Sequence, residues 1–312
     1  MKAVFLDRNT FSENVELTKP QGVTDWIVFQ KTSPEQIIER LKDADIAIVN
    51  KVVLGKKHFE QLPKLKLIHL TATGTDNIDK TEAKAKNIEV KNVVGYSTNS
   101  VAEHFFALLL ASMRGLKPQH KAVEDGTWQA DGRFCLTEPP VFDLYGKTLG
   151  IIGVGNIGKA ITERAKVFGM NVLWAERQGK TPRNQEYSLF DDVLAQSDII
   201  SLNCPLNEET RHIINTQTIA KMKKKPLIIN VARGAVVDPQ AIYEAITKEE
   251  ILGFATDVFE NEPPLNEDPL LKICNHPRVI YTPHIAWAST DAQSRLWQIL
   301  KKQTEDFIKN YK

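Results

Sequence analysis

"KTLGIIGVGNIGKAITERAKVFGM", residues 147 to 170, decides how the rest of the chain is read. An apolar run ends at Ile152, and Gly153, Gly155 and Gly158 follow as G-x-G-x-x-G. Glycines at that spacing also occur by chance. Here a strand-like run precedes them, and a helical run follows with Ile157, Ile161, Ala165 and Phe168 on one side. Gly153 permits a tight turn, Gly155 the close approach of a pyrophosphate, and Gly158 close packing of helix on strand. The N–H groups and positive potential of the helix start suit phosphate, which adds Asn156 and Ile157 to the candidates.

Eighteen residues beyond Gly158, Glu176 ends the next apolar run, "NVLWAE". A carboxylate there can accept both ribose hydroxyls of an adenosine and repel a 2′-phosphate. NAD(H) is therefore the expected cofactor. Arg177 directly follows, and arginine pairs with phosphate, so NADP(H) stands as the alternative.

Apolar runs alternate with helical stretches on both sides of this segment. Strands are expected at 3–6, 26–29, 46–49, 66–70 and 88–93, then at 147–155, 171–176, 198–203, 226–232, 253–259 and 278–283. In "SPEQIIERLKDA" Ser33, Pro34 and Gln36 make a capping box. A second box, "SVAE" (100–103), opens a long helix whose buried stripe is Val101, Phe105, Leu108, Leu109 and Ser112. Residues 117–147 lack a period and read as surface or a subunit contact. "KMKKKP" (221–226) reads as a solvated helix end. The last stretch has helical spacing at Leu296, Ile299, Leu300, Gln303 and Phe307 and can return to the first domain. The expected fold is α/β, with two doubly wound parallel-sheet domains: a Rossmann-type cofactor domain inserted in a discontinuous flavodoxin-like substrate domain. The expected boundaries are 1–99 for the first part of the substrate domain, 100–286 for the cofactor domain and 287–312 for the returning helix.

Bulk properties narrow the function. At 312 residues two domains are natural. A net charge of +1 argues against a nucleic-acid or membrane-surface protein. Cys135, Cys204 and Cys274 form no CxxC pair, so no disulfide framework or metal site is expected. With no signal-like or membrane-length apolar run, a cytoplasmic location is expected.

In a doubly wound sheet, ligands sit beyond the carboxyl ends of strands. Arg233 follows "LIINVA", Glu262 follows "TDVFEN" and His284 follows "VIYTP". Separately they read as a surface cation, a turn acid and a strand cap. Together they form a chemical set: a forked cation for a carboxylate, a proton donor, and an acid that orients it. Lys51, after "IAIVN", is either a solvated lysine or a contact to a substrate hydroxyl. The N–H groups of Gly74 and Thr75 are either an ordinary strand–helix turn or a carboxylate cradle.

"GVGNIG", "NVARGAVVD", "ATDVFENEPP" and "TPHIAWAS", supported by "TATGTDNID" and "NSVAEH", resemble the D-isomer-specific 2-hydroxyacid dehydrogenases along essentially the whole chain. Within that family, "NKVV", "AERQGK" and "HIAWAS" are most similar to the bacterial glycerate dehydrogenase (hydroxypyruvate reductase) members. The resemblance implies an NAD(P)-dependent oxidoreductase acting on a small 2-keto or 2-hydroxy acid. Hydroxypyruvate with D-glycerate, or glyoxylate with glycolate, are the expected pairs. It implies Arg233 on the keto acid and Glu262 paired with His284, the acid/base. It further implies a split first domain, closure over a cleft and a homodimer. Cofactor contacts are expected from Cys204, Pro205, Ala232 and Asp257, the last toward the nicotinamide amide, and substrate contacts from Thr73 beside Gly74 and Thr75. Thr98 is placed near the nicotinamide. His104, on a mainly apolar helix, reads as packing. Trp287 either shapes the pocket or packs a hinge. Competing readings are a corepressor-like protein that senses NAD, and a dehydrogenase for another acid. A phosphoglycerate enzyme is disfavoured where the extra C-terminal domain of many such members is expected and the sequence stops at Lys312.

Overall fold

A computed structural model describes residues 1–311. The chain divides into two units: Met1–Ser97 with the chain from Trp287 onward, and Thr98–Ala286. In the first unit the strands are β1 (Lys2–Phe5), β2 (Asp25–Val28), β3 (Ile46–Val49), β4 (Leu67–Leu70) and β5 (Glu89–Lys91). All pair in parallel, in the order β2-β1-β3-β4-β5. That is the flavodoxin-like order. β3 and β4 are buried throughout, as strands covered on both faces must be, and His69 in β4 is their one polar residue. Helix Thr290–Asn310 covers this sheet, with Trp297 stacked on Phe5 at 5.9 Å. Its buried face is turned slightly from the expected stripe. Trp297 and Thr304 are fully buried, whereas Ile299 and Gln303 are only half-buried.

The second unit holds β6 (Thr148–Ile152), β7 (Asn171–Ala175), β8 (Tyr187–Ser188), β9 (Ile199–Leu202), β10 (Leu227–Asn230), β11 (Gly253–Thr256) and β12 (Val279–Tyr281). Their order is β12-β11-β10-β9-β6-β7-β8, again all parallel. This is the Rossmann order with one added strand. β8 was not expected from sequence: two residues carry no period, and they pair only with Trp174 and Ala175. The winding reverses between β6 and β9, so the switch point lies at the glycine turn.

Three local expectations are corrected. Helix Thr98–Met113 starts two residues before the expected cap, so Ser100 is helical and its hydroxyl donates to the Ala286 carbonyl at 2.6 Å. The expected stripe on that helix is buried. Residues 117–147 are not wholly irregular: helices Leu116–Glu124 and Thr127–Asp131 occupy the start. Neither buries a residue, so no apolar period betrays them. Phe168 caps its helix rather than facing the sheet; it is 41% exposed and stacks on Phe106.

Candidate active site

Ala175, Ile152, Leu202, Asn230, Thr256 and Tyr281 stand side by side, one from each of six neighbouring strands. At the usual interstrand spacing this row is ~24 Å long. The chain leaves it at Glu176, Gly153, Asn203, Val231, Asp257 and Thr282. The expected residues of this unit therefore emerge on one edge because the strands end in register.

The glycine turn has the geometry its sequence implies. Gly153 has φ 95°, and a Cβ there would lie 2.4 Å from the Cys204 nitrogen. A Cβ on Gly158 would meet the Gly153 carbonyl at 2.5 Å, so this helix sits as near its strand as backbone allows. A Cβ on Gly155 would face open space, and no side chain caps the helix Asn156–Val167 that begins beyond it. Uncapped N–H groups beside an open approach fit a dinucleotide's phosphates. Asn156 is exposed and Ile157 half-exposed. Cys204 is buried under the turn, which pushes its thiol up to about 11, so it packs and does not react. Pro205 is exposed and Ala232 half-buried.

At the far end of the row Glu176 is only 4% exposed. Its carboxylate accepts the Arg177 and Arg183 backbone N–H groups at 2.9 and 3.0 Å. The Arg183 side chain adds Nε at 2.7 Å and Nη2 on the other oxygen. That guanidinium, with the two backbone donors, holds the carboxyl at about 2. Nothing in sequence spacing marks Arg183 as the partner of Glu176.

At the other end His284 donates Nδ1–H to Glu262 Oε2 at 2.6 Å. The other Glu262 oxygen accepts the Phe259 N–H at 3.2 Å. His284 has φ 56°, a left-handed backbone that a β-carbon disfavours. Its N–H is shared between the Asp257 and Thr282 carbonyls at 2.9 and 3.0 Å. Asp257 also takes the Ile285 and Ala286 N–H groups, both at 2.8 Å, and the Thr282 hydroxyl at 2.6 Å. Its carboxylate, 1% exposed, thus holds the chain around the histidine from both sides. Thr282 bridges in turn to His104 Nε2 at 2.9 Å. His104 was expected only to pack. It is a member of this polar network instead, with burial lowering its titration and Asp257 opposing that.

Arg233 follows β10 in an extended conformation, half-buried, with Nη1 donating to the Ala232 carbonyl at 2.9 Å. Asn230 pins the turn beneath it, donating to the Arg233 carbonyl and accepting the Ala232 N–H. Gly234 comes next. A Cβ there would fall 1.9 Å from the Phe259 carbonyl carbon, so the Arg233 loop and the loop leading to Glu262 touch backbone to backbone.

The remaining candidates, apart from Thr98, belong to the first unit. Lys51 is exposed just past β3, and its N–H donates to Asp7 at 2.6 Å. Asp7, whose carboxyl burial raises, also takes the N–H groups of Asn50 and Val52. Lys51 lines a cavity of about 470 Å³ with Asp7, Thr10, Thr32 and His58. Thr73 donates its hydroxyl to the Val93 carbonyl and leads into Gly74 and Thr75, both half-buried, beyond β4. These stand at the carboxyl edge of that unit's own sheet, beyond neighbouring strands. Trp287 is half-buried and packs edge-on against Phe11 and Tyr96 at 6.4 and 6.3 Å, at the margin of the first unit's core. Thr98 is the first residue of its helix.

Comparison with known proteins agrees with this geometry. Residues 106–286 match the D-isomer specific 2-hydroxyacid dehydrogenase, NAD binding domain family. The glycerate dehydrogenase of Methylorubrum extorquens is 39% identical over 98% of this chain and 96% of that protein. The hydroxypyruvate reductase of Blautia hydrogenotrophica is 35% identical over 99% and 97%. The crystal structure of D-lactate dehydrogenase from Aquifex aeolicus, complexed with NAD and lactic acid, superposes with a TM-score of 0.81 at 29% identity, covering 99% and 96%. These matches make the chain an NAD-dependent oxidoreductase of CH–OH groups: it belongs to the D-isomer-specific 2-hydroxyacid dehydrogenase family.

Proposed function

We propose that this chain reduces hydroxypyruvate or glyoxylate reversibly at C2, with Arg233, Glu262 and His284 as its catalytic residues. The observation that carries the proposal is the 2.6 Å bond from His284 Nδ1 to Glu262, which leaves Nε2 for a substrate oxygen. Bound NADH supplies the hydride. His284 Nε2 delivers a proton to the developing alkoxide, and Glu262 balances the charge the ring carries while it holds that proton. Arg233 grips the substrate carboxylate with its planar fork and stabilises the alkoxide oxygen. Asp257 acts on the histidine loop rather than on the substrate, through the four hydrogen bonds it or its carbonyl accepts there. In the oxidative direction His284 is the base.

The relatives named for glycerate and hydroxypyruvate support a short, polar substrate. In this reading Glu176 lies at the adenosine end of the cofactor edge and unit Thr98–Ala286 is the cofactor domain. The exposed apolar side chains Leu116, Val123, Phe134 and Tyr145 support a homodimer formed through that segment. Among the described residues no helix is long and apolar enough to cross a membrane, and three free cysteines fit a reducing cytoplasm. The test is a keto-acid panel (hydroxypyruvate, glyoxylate, pyruvate, phenylpyruvate) with NADH and NADPH in turn. Hydroxypyruvate or glyoxylate should be reduced far more efficiently than phenylpyruvate. Equal efficiency would end the substrate assignment, and no turnover of any would end the catalytic one.

A further inference from the structure

The carboxylate expected to read the cofactor's ribose already has its hydrogen-bonding capacity filled. An ionised carboxylate offers about four lone-pair directions. Glu176 receives four donors: the Arg177 N–H, the Arg183 N–H, and Arg183 Nε and Nη2. No direction is left for a ribose hydroxyl while Arg183 is docked. The dock is built. The fork is bidentate, and the same guanidinium lies 4.5 Å over the Tyr187 ring, which holds it from a second side.

The charge around this carboxylate is the reverse of what a strict NAD site requires. Glu176 is buried, whereas Arg177, Lys180 and Arg183 are all exposed in the loop above it. An arriving 2′-phosphate meets three cations and a carboxylate already neutralised by its partner. An arriving 2′-hydroxyl meets no free acceptor on Glu176.

The geometry points to Arg183 as the residue that sets cofactor selectivity: by docking on Glu176 it cancels the carboxylate's discrimination, so that this enzyme accepts NADP(H) alongside NAD(H). This rests on the reading that Glu176 lies at the adenosine end of the cofactor edge. Removing the Arg183 side chain frees two carboxylate directions for the ribose diol and exposes the negative charge to a 2′-phosphate. Selectivity then tightens toward NADH. Lysine at 183 keeps the charge without the fork and falls between.

The test is titration of purified protein with NADH and NADPH, reading dissociation constants by tryptophan-to-nicotinamide energy transfer, with no turnover needed. The parent should bind the two within about tenfold of each other, as two balanced charges imply. Arg183→Ala should weaken NADPH at least tenfold and tighten NADH, Arg183→Lys should do so partially, and adding Glu176→Gln to Arg183→Ala should restore near-equal binding. Circular dichroism checks that each variant is folded; should Arg183→Ala not fold, Arg183→Lys and Arg183→Gln carry the comparison. If Glu176→Gln moves the ratio but no Arg183 variant does, the inference fails while the placement of Glu176 stands. If neither position moves either constant, the adenosine-end reading fails and takes the inference with it. A parent more than a hundredfold selective for NADH also overturns it.

Discussion

His69, inside a parallel strand, and His284, just past the end of another, have surroundings that make them opposites. His69 lies in β4 of the first unit with no exposed surface. Its Nδ1 meets the Thr304 hydroxyl and its Nε2 the Gln303 side-chain oxygen, each at 2.9 Å. Burial, with Lys91 nearby, pushes its titration down to about 4, so it is a neutral strut between sheet and terminal helix. His284 lies three residues past β12, a quarter exposed, with a carboxylate on one nitrogen and the other uncommitted among the described residues. Residue type does not separate the two. The partner does. Neutral dipoles on both nitrogens fix a ring in place, whereas a carboxylate on one and an opening at the other let it move a proton.

The contrast can be broken most directly at His284. His284→Ala should lower turnover about a hundredfold or more, with NADH binding and thermal stability retained. Near-parental turnover would put His284 beside His69 as a structural residue. His69 should fail in the complementary way. Its folded-state titration lies below the unfolded value of 6.5, so its contribution to stability is complete above pH 6.5 and is lost as pH falls toward about 4. The loss over that window is up to about 3 kcal/mol. Urea unfolding across pH 7 to 4 should show this slope in the parent and a shallower one in His69→Gln, whose turnover at pH 7 stays near parental. Equal slopes would mean that other groups dominate the acid response.

Arg233 sharpens the active side of the comparison. Arg233→Lys keeps the charge and loses the fork, and should cost about 1.5 kcal/mol or more, roughly tenfold, in kcat/KM for the keto acid. Parental kinetics would exclude bidentate recognition. The smallest effect is expected at Thr282→Val, which removes the hydroxyl between His104 and Asp257. It should lower kcat about fivefold with KM for NADH unchanged, in keeping with a net hydrogen-bond value near 1 kcal/mol. A change confined to KM would assign this network to binding rather than to placing His284.

The parts legible in sequence were those whose physics is local. Gly153 and Gly158 announce a turn and a close crossing because only glycine fits there, and Arg233, Glu262 and His284 follow apolar runs that could only be strands. What could not be read depends on distant partners. His104 looked like a core residue because its bond to Thr282 spans 178 positions. Arg183 lies only seven positions from Glu176, but their pairing depends on the path of the loop before β8, and β8 is too short to give that loop a boundary. Helix Leu116–Glu124 escaped because it buries nothing.

Gly234 carries a consequence for the tolerance of this protein to mutation. The residue touches no substrate in the proposed mechanism, and glycine to alanine adds a single methyl group. That methyl would have to occupy the place of the Phe259 carbonyl, three positions before Glu262. The backbone must give way, and it gives way along the segment that aims the acid at His284. A substitution scored as mild by chemistry would thus act as a null allele, one that leaves every reacting group in the sequence while moving two of them out of reach of each other.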